Sequence, residues 1–511
     1  MRKLLNSFTS RAFIIGILVL LQFVILLSLV LWLSRIAFEI YLFFVILSVL
    51  MVIYIINKKG SPSYAIAWVI IILVFPVFGG ILYLLFGDKK VPKDLRRKSM
   101  EFESDNSPAL KQDEKIMEKI FEENRDVYKQ VNYVWKNAFF PIYKNTTTEY
   151  YPVGEKMYES LLRELQKAEQ YIFIESFIIK TGVMWDGILE ILEEKAKQGV
   201  DVRVMYDDYG CVIGIPKNYD RVMKKKGIQF QAFNPLRPAL VVQMNNRNHR
   251  KMCIIDGIVG FMGGTNIADE YINVEERFGY WKDSAIMLKG EAVWSMTTMF
   301  IQFWDFITNT KEELEKFALS KTQVRAFKSD GYVQPFSDSP TDDEGVGETV
   351  HMNIITQAKD YVYITTPYLI PSYEMIKDLT ISSKNGVDIR IIVPHIPDKW
   401  YVHMVTKSNY EELLKNNIRI YEYTPGFIHA KNFVSDDSVA VIGSTNIDYR
   451  SYYLHYECGV LLYKNKAVKN MKEDFLDTLA YCQEITLEEV RNTSLWRRVL
   501  QAILGLFSPL L

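Results

Sequence analysis

Several segments of this chain recur in the same order about 190 residues apart, and a repeat of that size must be a folding unit used twice. AEQYIFIESFII from Ala168 is answered by AKDYVYITTPYLI from Ala358, and GVDVRVM from Gly199 by GVDIRIIV from Gly386. KGIQFQAFNP, ending at Pro235, is answered by NNIRIYEYTP, ending at Pro425. Each is a short β-rich run entered from a helical stretch or a turn. Strands alternating with helical stretches imply βαβ units and largely parallel sheets, so the expected fold class is α/β: two pseudo-symmetric α/β sandwich domains.

After those prolines the copies reach HRKMCIID at His249 and HAKNFVSD at His429, the first after an insertion of about ten residues, and then GGTNI at Gly263 and GSTNI at Gly443. One H-x-K-x4-D string arises by chance in about 2% of chains with this many histidines. Two, each inside matching strand patterns, mark one active site built from both copies.

The spacing has a physical reason. In an extended segment residues i and i+2 share a face, so His249 projects with Lys251, and His429 with Lys431. Asn266 and Asn446 follow glycine-containing turns that allow close backbone approach and bring an amide back to the same place. Ammonium and amide donors suit the charge that builds on the non-bridging oxygens of a phosphodiester. A neutral imidazole can attack phosphorus to give a phosphohistidine while the second, protonated, serves the departing alkoxide and then the incoming alcohol. No metal or other cofactor is needed. Each ring also requires a carboxylate to orient it, and Asp283 in YWKD and Glu457 in YLHYECG stand downstream of the motif in each copy. Asp256 and Asp436 are counted with the catalytic set as motif members, although their position beyond the lysine on a turning chain suits a scaffold role better.

Three apolar runs, about Ala12 to Leu33, Ala37 to Ile56 and Ala65 to Phe86, are long enough to cross a bilayer, which takes about 20 residues. The expectation is a multi-pass anchor of two or three helices, retained rather than cleaved. Pro76, Gly79 and Gly80 make the third run a candidate for a kinked or re-entrant segment. Arg2, Lys3 and Arg11 favour an internal N-terminus, and Lys89, Lys90, Lys93, Arg96, Arg97 and Lys98 a cytoplasm-facing catalytic part. The C-terminal SLWRRVLQAILGLFSPLL from Ser494 suits an amphipathic interfacial helix or a helix docked on the core.

Sixty basic and sixty-one acidic side chains give a formal charge of −1 and no general attraction to nucleic acid. Cys211, Cys253, Cys458 and Cys482 read as free thiols, two of them inside apolar runs. His351, His395, His403 and His455 show no metal-ligand spacing and read as surface or satisfied core positions. Arg450 and Ser451, just past the Asn446 turn, are secondary candidates for holding a lipid phosphate.

Taken together with AWVIIILVFPVFGGILYLLFG at Ala67, TTPYLIP at Thr365 and FIHAK at Phe427, these motifs closely resemble the phospholipase D superfamily and, within it, the bacterial cardiolipin synthases. The resemblance extends over almost the whole chain. It implies a membrane-embedded phosphatidyltransferase whose partners are phosphatidylglycerol and anionic membrane lipids, passing a phosphatidyl group from one phosphatidylglycerol to another and releasing glycerol. It carries mechanism onto His249, Lys251, Asn266, His429, Lys431 and Asn446, with Asp283 and Glu457 matched by position in each repeat and His249 taken as the nucleophile, a choice no residue here decides. It divides the chain into an anchor at 1–88, a charged connector at 89–145, phospholipase D-like domains at 146–325 and 326–490, and a terminal helix at 491–511. A lipid hydrolase of the phospholipase D type, or a phosphatidyltransferase with another alcohol acceptor, is the alternative reading.

Overall fold

The computed structural model describes residues 11–32, 35–58, 62–87, 109–235, 245–342 and 344–508. Two compact units divide the chain, one made mainly of the N-terminal helices and one of both repeats.

In the larger unit the first copy supplies β1 (Thr146–Tyr151), β2 (Tyr171–Ser176), β3 (Asp201–Asp207), β4 (Gln229–Phe233) and β5 (Arg247–Asn248). It continues with β6 (Met252–Ile255), β7 (Val259–Gly263), β8 (Tyr280–Lys282) and β9 (Ala285–Gly290). The second copy supplies β10 (Tyr332–Asp338), β11 (Tyr361–Thr365), β12 (Asp388–Pro394), β13 (Arg419–Tyr423) and β14 (Gly426–Ile428). Then follow β15 (Asn432–Ser435), β16 (Val439–Gly443), β17 (His455–Tyr463) and β18 (Cys482–Ile485). The sheet orders are β1-β9-β7-β6-β2-β3-β4 and β10-β17-β16-β15-β11-β12-β13-β18. They correspond strand for strand over the first seven places, so the duplication seen in the sequence is a duplication of topology.

Only part of each sheet is parallel, against the expectation of largely parallel sheets. β2, β3 and β4 run parallel, as do β11, β12 and β13, whereas β6, β7, β9 and β1 alternate in direction, like their counterparts. Loop length accounts for one of these pairings: β6 and β7 are joined by a tight hairpin with Asp256 (φ 52°) and Gly257 (φ 65°) in the left-handed region, and so short a link joins only antiparallel strands.

That hairpin explains the aspartate of the motif. The Asp256 carboxylate accepts from the N–H groups of Glu169, Gln170 and Tyr171, each at 2.8 Å, and caps the entry to β2. Asp436 accepts from Lys359, Asp360 and Tyr361 at 2.8, 3.0 and 2.9 Å, capping the entry to β11.

Helix Val293–Thr308 is buried along most of its length and belongs to a core shared by both copies. Helices Gly154–Leu165 and Val183–Lys197 cover the other face of the first sheet. The described part of the connector, from 109, is more than a tether. Helix Arg125–Ala138 buries Val127, Val131 and Val134 in the shared core, and Gln130 donates to the Val350 carbonyl at 3.1 Å. None of the four cysteines is bonded to another.

The N-terminal unit contains helices Arg11–Trp32, Arg35–Asn57, Pro62–Val74 and Phe78–Leu82. Among the described residues one helix, Phe38–Asn57, is long and apolar enough to cross a membrane, and Gly16–Ser28 and Tyr64–Val74 are apolar but shorter. The multi-pass expectation is therefore not carried over: a single qualifying helix supports membrane association without fixing the number of spans. The third run breaks at Pro76 as its sequence implies, because proline removes a donor and clashes with the preceding turn. Ser48 Oγ donates to the Pro76 carbonyl at 2.7 Å, and a Cβ on Gly79 would lie 2.6 Å from Ile72 Cα, so only glycine allows the chain to fold back there. The basic cluster at 89–98 lies outside the described residues. Helix Leu495–Leu506 exposes Leu495, Trp496, Val499, Leu500, Ile503 and Leu506, while Arg498 reaches Glu411 at 3.4 Å.

Candidate active site

β6 runs antiparallel to β2 with Met252 opposite Glu175, and β15 antiparallel to β11 with Asn432 opposite Thr365. The segments just before β6 and β15, which carry His249, Lys251, His429 and Lys431, therefore sit at the carboxyl ends of the parallel strands, where α/β sheets place their sites. All four side chains are buried. Each lysine turns back on its own strand, Lys251 Nζ donating to the His249 carbonyl and Lys431 Nζ to the His429 carbonyl, as the shared face of i and i+2 requires.

The copies then exchange partners. β5 lies parallel to β17, and His249 N donates to the Tyr456 carbonyl at 2.9 Å. β14 lies parallel to β8, and His429 N donates to the Lys282 carbonyl at 2.7 Å. His249 Nδ1 consequently meets Glu457 of the other copy, at 2.9 and 3.0 Å from its two oxygens. His429 Nδ1 meets Asp283 at 2.6 Å. Each downstream carboxylate thus contacts an imidazole, that of the opposite repeat.

The one difference between GGTNI and GSTNI follows from this. A Cβ on Gly264 would lie 2.2 Å from Asp283 Oδ1, so that place must be glycine. Ser444 occupies the matching place and donates to Glu457 Oε2. Asn266 is held, its Oδ1 accepting from Ile178 N at 3.0 Å and its Nδ2 donating to Tyr271 Oη at 2.6 Å. The Tyr271 ring centroid lies 5.5 Å from that of His429. Asn446 is buried too, and its Oδ1 has no hydrogen-bond partner among the described residues.

Asp256 and Asp436 do not reach this cluster, which corrects their place in the catalytic set. Each lies seven residues beyond its histidine along an extended strand, roughly 20 Å away, with its oxygens committed to backbone N–H groups.

Burial lowers every cation of the site. It holds the His249 imidazole well below its ordinary value, helped by the charges of Lys251, Lys431, His429 and Lys399. His429 falls to about 4 through burial and Lys431, against the upward pull of Asp283. Lys251 falls to about 7 and Lys431 to about 8, again through burial, with Glu457 and Asp283 offsetting it. For Asp283 burial pushes upward, but the His429 and Lys431 charges and its hydrogen bonds outweigh it and leave the carboxyl below its usual value. Each lysine acts on carboxylates of both copies, so the two half-sites are one electrostatic unit.

His455 is a site residue that sequence reasoning placed elsewhere. Its ring centroid lies 5.5 Å from that of His249, and its Nδ1 3.7 Å from Glu457 Oε1. Strand register puts it where the other copy has Trp281, whose ring lies 5.4 Å from His429. Its neighbour across a sheet cannot be read from spacing along the chain. His249, His455 and Glu457 offer donor atoms within 4.8 Å of one another, a metal-capable grouping among the described residues. Here Glu457 already binds the His249 ring. His351, by contrast, is a core residue stacked on Phe433 at 4.0 Å.

The family model for the cardiolipin synthase PLD-like domain matches residues 161–304 and 352–479, and that for the phospholipase D-nuclease N-terminal region matches 46–87. A cardiolipin synthase of Halalkalibacterium halodurans is 34% identical over 467 residues, covering 89% of this chain and 90% of that protein. The chain belongs to the cardiolipin synthase family. Another cardiolipin synthase, from Staphylococcus aureus strain Mu50, is 31% identical over 474 residues, covering 89% of this chain and 92% of that protein. An uncharacterized protein of Streptococcus mutans is 41% identical over 465 residues, covering 90% of this chain and 99% of its own length. Among solved structures, phosphatidylserine synthase of Haemophilus influenzae Rd KW20 matches with a TM-score of 0.55 at 14% identity, over 71% of this chain and 93% of that one, and supports the fold alone. In this cardiolipin synthase family member the first matched PLD-like segment contains β2 and the second β11, the strands whose carboxyl ends carry the site.

Proposed function

We propose that the chain is a phosphatidyltransferase that makes cardiolipin and glycerol from two molecules of phosphatidylglycerol. The observation that carries this reading is the exchanged pairing of His249 with Glu457 and His429 with Asp283. A carboxylate on Nδ1 keeps that nitrogen protonated and leaves Nε2 as the reactive atom of each ring.

His249 acts as the nucleophile: its Nε2 forms a bond to phosphorus as the bond to the glycerol oxygen breaks, and His429 gives that oxygen its proton. The primary hydroxyl of a second phosphatidylglycerol then passes its proton to His429 and takes the phosphatidyl group, freeing His249. The closer carboxylate contact, 2.6 Å at His429, favours protonation there, and the surrounding lysine charge favours a neutral ring at His249. A bound phosphodiester brings negative charge among Lys251, Lys431 and His429 and raises their proton affinity, so substrate assembles the charged form of the site. Lys251, Lys431 and the amides of Asn266 and Asn446 hold the non-bridging oxygens.

The basic run of the sequence at 89–98 supports a catalytic unit that faces the cytoplasm. Purified protein in detergent with phosphatidylglycerol alone is expected to release glycerol and form cardiolipin. Phosphatidic acid as the sole product would replace this reading with a lipid hydrolase.

A further inference from the structure

The edge that carries the histidines also exposes the apolar side chains of loops in both copies. Val183 and Tyr373 open the helices that follow β2 and β11, Tyr209, Val212 and Ile213 follow β3, and Trp400 follows β12. Ile213 is 91% exposed and Trp400 62%. These loops flank the histidine cluster. Gly210 packs so tightly that a Cβ there would lie 2.0 Å from the Phe177 carbonyl oxygen, and the Phe177 ring lies 5.1 Å from that of His249. On the other side Lys399 Nζ lies 5.4 Å from the Tyr368 ring, whose hydroxyl donates to Asp398 at 2.6 Å.

Large apolar groups in water around an opening need an occupant. The chain carries a membrane-length apolar helix, and each methylene of a two-chain lipid drawn into water adds to the cost of reaching the histidines. The exposed Lys217 and Lys399 match an anionic surface, and tyrosine and tryptophan suit the headgroup layer. We propose that Tyr209, Val212 and Ile213 of one copy and Trp400 of the other dock the mouth of the site into the interface of an anionic bilayer. Lipids then reach the site by sliding in the bilayer plane, their acyl chains never leaving it. This rests on the lipid-substrate reading above.

The test uses the full chain in nanodiscs of equal parts phosphatidylglycerol and phosphatidylcholine. An environment-sensitive fluorophore is attached at Ile213→Cys or Trp400→Cys in a Cys482→Ala background, the other cysteines being buried. Gln198→Cys, exposed at the opposite edge before β3, is the control. Both rim probes are expected to shift to the blue and to be quenched by acyl-chain-labelled lipid at least about twofold more than the control, as groups at the interface are. Rim probes as wet as the control in both loops would overturn the docking. Buried probes in a protein that forms no cardiolipin would leave the docking standing and remove the substrate reading instead.

Discussion

His429 Nδ1 stands 2.6 Å from Asp283 Oδ2, so the histidine of the second repeat is held by a carboxylate of the first. The reciprocal pair, His249 with Glu457, makes the exchange complete. Neither copy contains a finished half-site, and the short parallel pairings of β5 with β17 and β14 with β8 set both contacts.

Asp283→Asn and Glu457→Gln keep the shape of each contact but replace an anionic acceptor with an amide, so the ring loses both its tautomer and its orientation. Turnover is expected to fall roughly 10²- to 10⁴-fold in each, with circular dichroism unchanged. Near wild-type turnover in either would show that carboxylate to be dispensable.

Gly264→Ala tests the same contact from behind. A methyl group 2.2 Å from Asp283 Oδ1 must displace the carboxylate, and misplacement by about 1 Å costs about 10²-fold. The loss should appear in kcat. Unchanged kcat would mean that Asp283 can shift without moving His429.

The motif aspartates should behave differently. Asp256→Asn or Asp436→Asn removes charge from a carboxylate that caps a strand, and about 1–3 kcal/mol of stability should go with it. Denaturant unfolding should show the loss while the folded protein keeps most of its turnover. Abolished turnover at full stability would return these residues to the chemistry.

Burial places Lys251 at about 7 and Lys431 at about 8, below the ordinary lysine range, so their charges disappear at lower pH than usual. Substrate capture by the free enzyme needs those charges. kcat/KM should therefore fall as pH rises through about 7 to 8, while kcat holds to higher pH because bound phosphate favours the protonated lysines. Coincident limbs for kcat and kcat/KM would contradict that coupling.

Much of the site was legible in the sequence because its residues repeat with strand spacing. His249 with Lys251, and His429 with Lys431, share a face wherever the chain is extended, and the glycine turns mark the approach of Asn266 and Asn446. Asp283 and Glu457 were also found, but not their exchange, which depends on where β8 and β17 end against strands of the other copy. His455 was missed because its counterpart is Trp281, so the repeat offers no second histidine to flag it. The antiparallel half of each sheet was missed because, although the chain was read as turning at Asp256, the pairings of β6 with β2, β9 with β7 and β1 with β9 join strands far apart in sequence.

The covalent step is the most direct test. A phosphatidyl ester with a nitrophenol leaving group needs no proton from His429, so in His429→Ala the first step should run and the second should stall. Mass spectrometry of the digested protein should then find a phosphatidyl group on His249, and none in His249→Ala. An adduct on no histidine, or cardiolipin formed at the wild-type rate by either variant, would contradict the phosphohistidine mechanism.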